Sequence, residues 1–328
     1  MRNNALIICC GVCVAGAFGV FTRWIQNLTA FDEEGLYISG SFWGWALLLL
    51  CLAAAALLAG ALWFFRNREG LVSGESFSDA HSGGGALRRA AYLAIAALTA
   101  VACAALLVTA GSSKYSVLLR VLALLGLLAD GGFLGMAAYG GRSGRSEAGS
   151  DSAGVCLASV LPVAFCCFWL VVSYRQDAAT AVVWRYGPEI AAIACSLLAF
   201  YYVAGHAFGR PKPYSAMFFC GYGAFLCLVT LPDERLLALQ LLLAGCASMQ
   251  LFFLWSLSAG LRRPETAEAE ETISAPGAEE DGAAPPAEEY DSLADAVRSA
   301  REDERLADSF VEHDPRGGEK RPSGQENR

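Results

Sequence analysis

Eight times along this chain a run of about 20 apolar residues passes with little or no charge, at 5–22, 43–65, 90–110, 116–139, 154–174, 188–208, 215–231 and 236–258. A helix rising ~1.5 Å per residue needs a run of that length to cross a hydrocarbon core ~30 Å thick. The runs are continuously apolar rather than alternating. Lipid offers no partner to an unpaired backbone group, so helices are the spanning form they select. The expectation is an all-α polytopic transmembrane bundle of about eight helices over residues 1–260.

Composition agrees and adds a division. Hydrophobic residues make up 55% of the chain and charged residues 17%, against roughly 25% charged in soluble domains. Residues 264–328 hold 19 acidic and 7 basic side chains, whereas the rest holds 13 and 17. The segment 261–328 therefore reads as a disordered acidic tail, rich in Ala, Glu and Pro. Within it, 290–310 has Tyr290, Leu293 and Val297 at helical spacing and reads as a short acidic helix. Its charge disfavours anionic lipid, leaving a basic protein partner or plain solvation. Nothing in the charge pattern points to nucleic acid.

Orientation follows from Lys and Arg in the short connections, where acids count for little. Arg2, Arg66, Arg68, Arg88, Arg89, Arg142, Arg145, Arg210, Lys212, Arg262 and Arg263 fall on one side. Arg23, Lys114, Arg175, Arg185 and Arg235 fall on the other. This bias, alternating through eight spans, places both termini in the cytoplasm. The first run, with Arg2 ahead of it and Ala15-Gly16-Ala17 within it, also fits a cleaved leader; it is read here as a span.

Two acidic features are candidate sites. Asp32, Glu33 and Glu34 sit in the first outer connection, followed by Gly35 and by Phe42, Trp43 and Trp45, which suit the interfacial aromatic belt. They read either as a solvated turn or as an outer-face cation or ligand collar, since a cation relieves the repulsion of adjacent carboxylates. Asp130 lies near the middle of the fourth run, where an Asp costs on the order of 2.5–3.5 kcal/mol on insertion scales. It should face protein or water and have a partner; Arg120, Glu189, Gln240 and Gln250 are the candidates. Gly131 and Gly132 follow it, and a Gly pair can break a helix as at transporter ion sites. Asp130 is thus either an interhelical hydrogen-bonding group or a proton or cation site on a transport path.

Other signals are architectural. All 12 cysteines lie inside the runs, and Cys10-Gly11-Val12-Cys13, a CxxC without nearby His or acid, reads as packing. No P-loop, HExxH, G-x-S-x-G or Rossmann glycine pattern occurs, so no catalytic residue, cofactor or metal ligand is assigned. His206 reads as an interfacial hydrogen-bonded imidazole, and Pro162 as a kink in the fifth span. Small residues four apart, such as Ala96, Ala100 and Ala104, suit tight helix contacts.

The stretch Thr29–Leu36 and the stretch 167–213, with Tyr174-Arg175, Tyr186 and Ala204-Gly205-His206-Ala207-Phe208-Gly209, resemble an uncharacterised family of polytopic membrane proteins from anaerobic Gram-positive bacteria. The resemblance covers about residues 1–260. It implies a bacterial cell membrane location and carries no activity or site; the family pattern has Phe where this chain has His206. The expectations are therefore a small-solute or ion permease using Asp130, or a scaffold or sensor binding a partner through the outer acidic loop or the tail. A lipid-directed enzyme has least support.

Overall fold

The computed structural model describes residues 2–32, 36–38, 40–69, 86–112, 114–140, 153–177 and 182–260. Glu33, Glu34, the tail and its expected 290–310 helix lie outside the described residues. Eight α-helices carry the chain: α1 (Arg2–Thr29), α2 (Phe42–Glu69), α3 (Ala86–Thr109), α4 (Ser116–Gly140), α5 (Ala153–Asp177), α6 (Val183–Ala207), α7 (Pro213–Val229) and α8 (Leu237–Gly260). A 3-10 turn, Ala110–Ser112, leads from α3 towards α4. Seven of the helices are long and apolar enough to cross a membrane. The eighth, α7, is also apolar but has 17 residues, ~25 Å of rise, short of the ~30 Å core.

The short helix is the central one. Helices α3 to α8 pack each on the next, and α8 returns to α3, closing a six-helix ring. Outside it, α1 lies against α7 and α8, and α2 lies against α1 and α7. Protein thus surrounds α7 on several sides, and most of its residues are buried. Enclosed in this way, α7 need not match the bilayer thickness. Phe133, Phe200 and Phe253 meet within the ring at centroid separations of 5.3, 6.1 and 6.4 Å.

Several helices overrun their expected ends, two of them by five residues or more. α1 continues past the expected end at 22 to Thr29, and α6 begins at Val183 rather than 188. Charge and Pro188 marked those edges in the sequence, but both are accommodated inside the protein. Pro188 has no N–H to give the carbonyl four residues earlier, which is that of Trp184. Arg23 Nη1 donates to that carbonyl instead, at 2.9 Å.

Pro162 acts in a comparable way in α5. It leaves the Ala158 carbonyl without a helical donor, and that oxygen faces Gly132 of α4. A Cβ on Gly132 would lie only 2.5 Å from it. α4 runs unbroken through Gly131 and Gly132, so the expectation of a helix break there is corrected. Gly132 serves close packing: a glycine lets the α4 backbone lie directly on a carbonyl of α5. Gly131, by contrast, makes no such contact, because a Cβ on it would touch nothing within 4 Å.

Candidate functional site: a recessed charged vestibule

Among the described residues, charged side chains gather where α1, α5 and α7 end and α2, α6 and α8 begin. A fully buried arginine anchors them. Arg23 Nε donates to Asp233 Oδ1 at 2.6 Å, Nη1 to Gln26 Oε1 at 2.8 Å and to Trp184 O, and Nη2 to Arg185 O at 2.9 Å. Asn27 Nδ2 also donates to Asp233 Oδ1, at 3.1 Å. Asp233 Oδ2 accepts from Arg235 Nη2 at 3.2 Å, and Arg235 Nη1 pairs with Glu189 Oε2. Glu189 Oε1 accepts from Ser173 at 2.7 Å. Two guanidinium groups and two carboxylates thus form a neutral network joining α1, α5, α6 and the α7–α8 turn.

The network fixes the depth of that turn. Arg23 lies six residues before the end of α1, and Glu189 six residues after the start of α6. Each is therefore ~9 Å along its helix from the rim. The turn that carries Asp233 and Arg235 is held at that level, because α7 stops short. Gln240 Nε2 secures the turn from below, donating to Asp233 O at 2.8 Å and Leu231 O at 3.3 Å. A cavity of about 420 Å³ stands over this floor. Its walls include Asn27, Asp177, Arg185 and Tyr186, with Glu234 on the floor and Phe31 and Asp32 above.

The connection from α1 to α2 forms one side. An isolated antiparallel bridge joins Phe31 to Tyr37, and Asp32 Oδ1 accepts the Leu36 N–H at 2.7 Å. Tyr37 stacks on Trp184 with ring centroids 5.4 Å apart. Asp32, the first acid of the outer cluster, is thereby brought to the cavity beside Asp177, Arg185 and Glu234. Sequence reading singled out Asp32 but missed Arg23, Asp177, Glu189, Asp233 and Arg235 as a set. Their only local signal is a guanidinium nearly two turns inside the end of the first helix and an Asp-Glu-Arg run in a short turn.

Asp130 is placed elsewhere. It is buried on α4 and accepts a hydrogen bond from Thr99 of α3 through Oδ1. Its Oδ2 has no partner among the described residues. None of the four expected partners meets it. Glu189 and Gln240 belong to the vestibule floor, and Gln250 donates to Ser196 Oγ at 2.7 Å. Arg120 lies by Gly111, near the α3–α4 connection. Gln250 also keeps an unpartnered buried Oε1 and reaches Cys227 Sγ at 3.8 Å. Asp130 does not line the vestibule; it belongs to a separate polar patch inside the ring.

His206 is buried near the far end of α6, with Nδ1 3.1 Å from the Tyr202 carbonyl. All 12 cysteines are free thiols. Among the described residues no His, Cys, Asp or Glu group has a metal-binding arrangement.

These features define a polytopic α-helical integral membrane protein with a charged vestibule at one end and an isolated carboxylate within its helix ring. Comparison with protein-family models, curated proteins and solved structures finds no match to the chain.

Proposed function

We propose that the protein is a permease for a small cationic solute, an organic amine or a monovalent cation. The solute enters at the vestibule and passes the Asp130 patch within the ring. The observation that carries this reading is the charge left in the vestibule once its neutral floor is set aside. Among the described lining residues outside that floor, Asp177 and Glu234 then stand with one guanidinium, that of Arg185. Phe31 and Tyr186 add aromatic faces, which attract cations. Deeper in the ring, Asp130 Oδ2 and Gln250 Oε1 are buried oxygens without partners among the described residues, and oxygen is the donor that hard cations prefer. Buried ionisable groups in spans commonly mark ion or substrate paths.

The Lys and Arg bias favours an outward-facing vestibule and cytoplasmic termini. The family resemblance favours a bacterial cell membrane. One observation favours a sensor over a permease: the floor between the vestibule and the ring interior is closed by its own ion pairs.

Uptake by purified protein in lipid vesicles separates the two. Labelled monovalent cations and small amines are offered to wild type, Asp130→Asn and the double variant Asp177→Asn/Glu234→Gln. A permease accumulates a solute in wild type only. Asp130→Asn retains binding and loses uptake, whereas the double variant loses both. Binding without uptake in wild type establishes the sensor, and neither binding nor uptake across the panel overturns both readings.

A further inference from the structure

A second cavity, unrelated to the vestibule, runs along the flank of the bundle between α1, α2 and α7. It measures about 320 Å³ and is lined almost wholly by carbon. Gly11 and Ala15 of α1 form one wall, and Ala54, Leu58 and Phe65 of α2 the other. Phe225 of α7, 2% exposed, lies at its base, whereas Ile7 and Leu57 at its rim are 68% and 74% exposed. Only 11% of the most apolar stretch of α2 is buried, so this flank faces the membrane.

The dimensions of the groove match one leaflet. From Ala54 to Phe65 the helix rises ~16 Å, about half of the ~30 Å hydrocarbon core. A cation stands where the groove ends. Arg66 directly follows Phe65, is exposed, and places its guanidinium 6.0 Å from the centroid of the Tyr214 ring. The arrangement therefore has an apolar slot one leaflet long with a positive charge at headgroup level. Guanidinium is a strong partner for phosphate.

We propose that this groove is a binding site for one glycerophospholipid of that leaflet, its acyl chain lying between α1 and α2 and its phosphate against Arg66. Gly11 borders open space in the slot: a Cβ there would meet nothing within 4 Å, so a larger side chain has room to occupy it. The same is true of Gly60, which is exposed on α2 but does not line the groove. The two glycines are thus a matched pair, one inside the proposed site and one outside it.

Native mass spectrometry of detergent-purified protein titrated with phosphatidylglycerol tests the assignment. Wild type and Gly60→Leu each retain one lipid. Gly11→Leu weakens that lipid by at least ~tenfold, equivalent to ~1.4 kcal/mol. Ala61→Phe, a second substitution that fills the groove, gives the same loss, so the test survives if Gly11→Leu fails to fold. Arg66→Gln weakens phosphatidylglycerol but leaves binding of diacylglycerol, which lacks the phosphate, as in wild type. Equal retention by wild type and both groove-filling variants overturns the proposal. So does equal loss in Gly60→Leu, or a dimer in place of the lipid adduct.

Discussion

Arg23 shows what a single residue does in this bundle. A buried guanidinium is tolerable only when its donors are satisfied, and Arg23 meets Asp233, Gln26 and two carbonyls of α6. Removing Asp233 leaves that charge uncompensated, so Asp233→Ala should lower unfolding stability by ~3–5 kcal/mol. Asp233→Asn keeps an oxygen acceptor and should cost less; calorimetry or thermal unfolding in detergent checks the order. An equal loss in the two variants would mean that charge plays no part. The sequence presented Arg23 and Arg235 only as charges that set orientation. Their joint role was not legible because Arg23 and Asp233 are 210 residues apart, and no local pattern encodes that pairing. Asp130 was legible as an anomaly, since an acid in an apolar run stands out. Its partner was not, because Thr99 is an ordinary residue within a helix.

At the scale of elements, the eight helices were written plainly in the apolar runs, and the structure moves only their ends. The largest shifts, at the end of α1 and the start of α6, arise where a charge or a proline finds its complement in a distant helix. The Gly pair after Asp130 illustrates the same limit. Sequence showed that two glycines were adjacent; only packing shows that Gly132 touches α5 and Gly131 does not. Gly132→Ala should therefore destabilise the α4–α5 contact by ~1–3 kcal/mol. Gly131→Ala, exposed and unobstructed, should stabilise α4 by ~0.5–1 kcal/mol. Unfolding of the two variants side by side measures this, and similar effects at both sites would remove Gly132 from the helix interface.

For the whole molecule, a central helix shorter than its neighbours creates a recess, and the recess collects charge. In the proposed orientation, which the Lys and Arg bias favours, this recess faces outward. A cysteine replacing the exposed Glu234 should react with a membrane-impermeant maleimide on intact cells, above the wild-type background. One replacing the exposed Asn67 should react only after permeabilisation; the reverse pattern inverts the topology. Binding of a cationic solute in the vestibule is read out by thermal unfolding of the purified protein against a panel of amines and monovalent cations. Wild type is run beside Asp177→Asn/Glu234→Gln and Asp130→Asn. A ligand at ~100 times its dissociation constant stabilises by ~2.7 kcal/mol. At least one cation should shift wild type and Asp130→Asn upward and leave the double vestibule variant unmoved. A shift preserved in the double variant, or produced only by anions, would contradict cation binding there.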